Sequence, residues 1–123
     1  MSKNIIIIII IYLFIYSTSL KAMNFLDCIN DVPIDDKITE IKESCFIFDS
    51  DTGKIASVEA QSAILNVEVL EFYKTILKQF GWQLKSEKIN KALVFVRDNE
   101  ILKININNSN IILFNSFLSF KNN

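Results

Sequence analysis

The sequence predicts an α+β fold in which one helix lies on one face of an antiparallel meander sheet, in the order ββαββββ. Three observations carry this. A single segment, residues 66–81, places its apolar residues at helical spacing and then meets a glycine. The segments around it, two before and four after, show period-two alternation or short apolar runs rich in Ile, Val and Phe. The connections between consecutive strands are short and polar, which forces antiparallel neighbours. With 123 residues there is room for one domain at most.

The chain begins with Lys3, twelve uncharged apolar residues (5–16, seven of them an unbroken Ile run) and a short polar stretch, Ser17 to Ala22. This is the anatomy of a secretory signal segment over residues 1–22. Twelve apolar residues fall short of the roughly 20 that a membrane-spanning helix needs. Cleavage is placed after Ala22, with Ser19 as the alternative; an uncleaved anchor or an interfacial helix is the competing reading. Removal of 1–22 takes two lysines and no acid, so 11 basic residues face 14 acidic ones and the formal charge moves from -1 to -3.

Residues 23–43 contain the only proline, Pro33, and scattered apolar residues without a period, and are expected to form an extended lead-in to a domain at 44–123. Cys45-Phe46-Ile47-Phe48 reads as a strand, Asp49 to Lys54 as a turn with Gly53 supplying positive φ, and Ile55 to Ala63 as a second strand with Ala56, Val58 and Ala60 on one face. Asn66 is placed to cap the helix, Val69, Tyr73, Ile76, Leu77 and Phe80 form its buried stripe, and Gly81 with Trp82 completes a Schellman ending. Four strands follow, near Trp82–Lys85, Ala92–Val96, Ile101–Asn107 and from Ile111 onward. Two of them, Ala92-Leu93-Val94-Phe95-Val96 and Ile111-Ile112-Leu113-Phe114, are apolar on both faces. A strand with helix on one side and water on the other is not, so something must cover the second face. The lead-in is the first candidate cover; a partner chain or an apolar ligand is the second.

Composition excludes several functions. No histidine is present, which removes imidazole bases and His-ligated metals. A single arginine in a mildly acidic chain leaves no nucleic-acid footprint. Asp49-Ser50-Asp51-Thr52-Gly53 begins like a calcium loop, but Gly arrives one residue early and the twelfth position is Ala60, so a hairpin turn is the better reading. Asp35, Asp36, Asp98 and Glu100 show no spacing that singles out an acid-base pair, and no serine motif or phosphate loop is present. Arg97 reads as a surface ion pair, and Asn107-Asn108-Ser109 as a polar turn that has the form of a sequon. No catalytic, cofactor-binding or metal residue is assigned. Cys28 and Cys45 either close a disulfide in an oxidising compartment or remain buried thiols; both readings stand.

The stretch Phe72-Tyr73-Lys74-Thr75-Ile76-Leu77-Lys78-Gln79-Phe80-Gly81-Trp82, preceded by Val32-Pro33-Ile34, Phe48-Asp49 and Gly53-Lys54-Ile55, resembles a group of small exported alphaproteobacterial proteins of unknown function. The likeness spans roughly residues 31–115, and its motif residues, Phe72, Tyr73, Leu77, Gly81 and Trp82, are structural. It implies a rickettsia-like source and an envelope location and transfers no active site. Lys54 stands where the group tends to have Arg, and the two Cys depart from its pattern. The expected function is a non-enzymatic periplasmic binding or structural module that meets an envelope partner, or itself, through a sheet face or edge. An apolar-ligand carrier and a carboxylate-based hydrolase are the alternatives.

Overall fold

The structure, a computed structural model, describes residues 2–17 and 22–120. Helix α1 (Ser2–Ser17) contains the isoleucine run, with Ile5 to Ile10 solvent-exposed. Among the described residues, no helix is long and apolar enough to cross a membrane. Ser19, the alternative cleavage point, lies outside them. Two short strands, β1 (Asn24–Phe25) and β2 (Pro33–Ile34), pair within the lead-in. The main sheet comprises β3 (Ile38–Asp49), β4 (Gly53–Ser62), β5 (Gln83–Lys88), β6 (Ala92–Arg97), β7 (Glu100–Ile106) and β8 (Ile111–Ser119), with helix α2 (Asn66–Gln79) between β4 and β5.

All six strands are antiparallel, in the order β3-β4-β8-β7-β6-β5. This differs from a continuous meander. Helix α2 carries the chain from β4 to the far edge, and the last four strands return from there until β8 pairs with β4. β3 begins at Ile38, inside the expected lead-in, and is broken by a bulge in which residues 42–45 stand opposite little more than Val58.

Alternation builds the core. Ala56, Val58, Ala60, Leu93, Phe95, Leu102, Ile104, Ile106, Ile112 and Phe114 are buried on one face of the sheet, against Val69, Leu70, Tyr73, Ile76 and Leu77 of α2. The helix stops as its sequence requires. Gly81 has φ 86°, its N–H donates to Lys78 O (3.3 Å), and Trp82 N–H donates to Leu77 O (3.1 Å). These are the two bonds of a Schellman motif.

Two local expectations are corrected. Asn66 is the first helical residue and not the cap: Leu65 holds that place, its carbonyl accepting from Glu68 and Val69, while Asn66 Oδ1 is buried without a partner. The entry is set upstream, where Ser62 Oγ accepts from Ile64 N–H and donates to Ile64 O. Gly53 is not a positive-φ residue; among the described residues those are Asn90, Asp98 and Asn110, one at each later hairpin, and Gly81. Gly53 is required by contact, since a Cβ there would stand 2.4 Å from Leu118 O.

Candidate functional site

The lead-in lies on the same face as the helix. Leu26, Ile29 and Val32 are buried in the core shared with α2, and Phe25 meets Phe80 edge-to-face at 5.8 Å. Three fasteners hold it. Glu40 is opposite Ala60, so its carboxylate points to the helix side, where it accepts from Asp27 N–H (2.7 Å) and Cys28 N–H (3.0 Å). Cys28 and Cys45 form a disulfide, Cα–Cα 5.7 Å, with Cys45 projecting from the β3 bulge. Closing a loop of this length is worth about 3 kcal/mol in the chain-entropy model.

Arg97 is the third fastener. Its guanidinium lies 4.2 Å from the Trp82 ring centroid, donates to Phe80 O (3.0 Å), and pairs with Asp31 of the lead-in and with Glu100 (3.2 Å). Partial burial opposes its charge, but the Asp31 hydrogen bond and the charges of Glu100 and Asp31 outweigh this and raise its pKa. The sequence sets Arg97 beside Asp98; the acids that hold it are Glu100, opposite it in the β6–β7 hairpin, and Asp31, 66 residues away in the lead-in. The acids Asp31 and Glu100, which line a hollow beneath the lead-in with Lys54 and Asn30, are thereby engaged by a fixed cation. Nothing in the sequence singles out Glu40, one acid among several.

The helix motif is core. Tyr73 is fully buried, edge-to-face with Phe72 (4.9 Å) and Phe114 (5.5 Å), and Leu77 and Trp82 are buried beside it. Burial, with a smaller contribution from the Asp35 charge, drives the Tyr73 pKa well above its usual value, and its hydroxyl has no partner. It is a packing group rather than a proton carrier. The space between helix and sheet is filled by Tyr73, Phe95, Phe114, Leu77 and Leu93, all within 1% of full burial. Among the described residues, no three Cys, Asp or Glu converge on a metal-binding point.

With helix and lead-in both on one face, the expectation that the lead-in covers the second face fails. That face is open, and its register orders its side chains into rows. Directly opposed residues share a face. The pairs Phe48–Ile55, Ile55–Phe117, Phe117–Ile101 and Ile101–Val96 therefore form one apolar row across five strands, about 19 Å long. The next row, Phe46, Ser57, Asn115, Lys103 and Val94, is mostly polar. Phe46, Phe48 and Phe117 are 59%, 53% and 42% exposed. Ile55, Ile101, Lys103, Asn115 and Phe117 line a shallow hollow. Comparison with protein-family models, curated proteins and solved structures finds no match.

Proposed function

We propose that the chain is an exported, non-enzymatic binding or bracing module whose open sheet face takes up the apolar surface of a protein partner in the bacterial envelope. The row Phe48–Ile55–Phe117–Ile101–Val96, left uncovered by every described segment, is the observation that carries this reading. Its exposed Phe and Ile side chains, with Phe46, present roughly 400–500 Å² of apolar area, within the range of functional patches on monomers. The polar row beside it, with Lys103 and Asn115 able to hydrogen-bond, gives the apolar-centre and polar-rim plan of a protein interface.

Export rests on the signal anatomy of residues 1–22, with cleavage after Ala22 and residence in the periplasm. The Cys28–Cys45 bond agrees with an oxidising compartment. The likeness of Phe72 to Trp82 to small exported proteins points the same way. A mature charge of -3 provides no attraction to nucleic acid or anionic lipid.

The test is photo-crosslinking in cells, with the full-length chain carrying a photoreactive phenylalanine at Phe117 or, as a control, at Glu71 on the solvent side of α2. The expected result is one discrete envelope-protein adduct from position 117, lost when Ile101→Lys is added. Equal labelling from both positions, or no adduct from 117, refutes the reading. A precursor that is never shortened or exported refutes the compartment.

A further inference from the structure

The two edges of the main sheet are built differently. β5 is exposed throughout, carries Lys85, Glu87 and Lys88, and has an irregular register at Lys85. Charge and irregularity at an edge block the addition of another strand. The β3 edge has no such guard between its bulge and Asp49. It presents Phe46, Ile47 and Phe48, of which Ile47 is 47% exposed.

The backbone of this segment is oriented for pairing. Ser50 N–H donates to Gly53 O, and Glu59 N–H donates to Ser44 Oγ, so the odd-numbered residues 53 to 59 of β4 turn their backbone groups toward β3. Phe46–Ser57 and Phe48–Ile55 are thus the hydrogen-bonded pairs. Ile47, between them, turns its N–H and C=O to the free edge.

We propose that β3 pairs antiparallel with β3 of a second copy about a two-fold axis at Ile47, joining two six-stranded sheets into one. Phe46-Ile47-Phe48 reads the same in both directions, and this palindrome selects a second copy over an unrelated peptide. The two-fold places Phe46 opposite Phe48 of the second copy twice. It also sets Ile47 opposite itself, each copy donating one N–H and accepting one. The bulge at 42–45 and the turn after Asp49 limit the pairing to about five residues, so the buried area stays below about 1,200 Å² and the dimer is reversible. The axis is perpendicular to the sheet. Both helices therefore lie on one side, and the two open faces merge on the other. The pairing holds whatever that face binds.

Co-expression of two differently tagged full-length chains, one Phe46→Cys and the other Phe48→Cys, followed by mild oxidation of the cells, tests the register. Positions 46 and 48 of opposite copies form a non-hydrogen-bonded pair with Cα atoms about 4.5 Å apart, within disulfide reach. Like positions are offset by about 7–8 Å. Both side chains are exposed, so the variants keep the fold, checked by unchanged protease resistance. The mixed, reducible dimer is expected to exceed either like dimer about tenfold and to fall about tenfold when Ile47→Lys is added to both chains, since like charges then face each other. The proposal is overturned by absence of the mixed dimer, by like dimers in equal amount, or by equal crosslinking through Lys85→Cys at the other edge.

Discussion

Gly53→Ala separates two reasons for a glycine. The residue opens β4 opposite Ser119, its φ is not positive, and an added Cβ would stand 2.4 Å from Leu118 O and 3.4 Å from Leu118 C. No real Cβ tolerates the first contact, so the end of β8 must retreat by the better part of an ångström. It is not free to do so: Ser119 N–H donates to Asn99 O (3.0 Å) and Phe120 N–H to Thr52 O (2.9 Å). Loss of one or two such bonds at about 1 kcal/mol each, plus about 1–3 kcal/mol of overpacking, less about 0.5 kcal/mol recovered from the stiffer unfolded chain, gives a net cost of about 1.5–4.5 kcal/mol. That corresponds to a fall of about 6–18 °C in Tm for a domain of this size. Urea unfolding followed by circular dichroism should show the midpoint drop with an unchanged slope. A loss under about 0.5 kcal/mol would show that β8 does not approach β4 as described.

Gly81→Ala fails for the other reason. Its Cβ would meet only Arg97 Cδ at 3.5 Å, an ordinary van der Waals distance, so the cost is that of holding alanine at φ 86°, about 1–2 kcal/mol; an unchanged denaturation midpoint refutes the left-handed ending. Tyr73→Phe should be neutral or slightly stabilising, because the lost hydroxyl has no partner, and a loss of more than about 1 kcal/mol would reveal a bond to it. The folded Tyr73 pKa lies above the unfolded value of about 10, so the unfolded chain releases this proton first. Its contribution is complete below about pH 10 and declines as pH rises beyond it. Urea midpoints between pH 8 and 11 should show the decline in the parent chain and a smaller one in Tyr73→Phe.

These glycines also show what the sequence discloses. Gly81 is legible because everything that defines it is local: a stripe ending at Phe80, a glycine, then an aromatic. Gly53 is legible as a turn residue for the wrong reason, since the atom that excludes a side chain belongs to Leu118, on a strand the local sequence cannot position. Asn66 suggests a cap by its type, but Ser62 closes its own local turn first and moves the helix entry to Leu65. The two-sided apolar runs at 92–96 and 111–114 announce an uncovered face. The alignment of Phe48, Ile55 and Phe117 in one row requires the β4–β8 pairing, and that pairing follows from where α2 delivers the chain.

The side chosen by the lead-in decides the character of the molecule. Its apolar residues would satisfy either face of the sheet, so hydrophobicity alone does not choose. The choice is made by polar and covalent groups whose direction the strands fix: Glu40 opposite Ala60, Cys45 on the bulge, and Arg97 at the end of β6, each on the helix side. An acid, a disulfide and a cation at three separate points hold the lead-in there: moving it to the other face would break the disulfide, take the Glu40 acceptor from the Asp27 and Cys28 N–H groups, and take Asp31 from Arg97. Of these fastenings the disulfide is covalent and worth about 3 kcal/mol in the chain-entropy model, and the hydrogen bonds to charged groups add to it. The row of Phe and Ile side chains therefore stays uncovered as a consequence of how the helix side is fastened, and it is available to another chain.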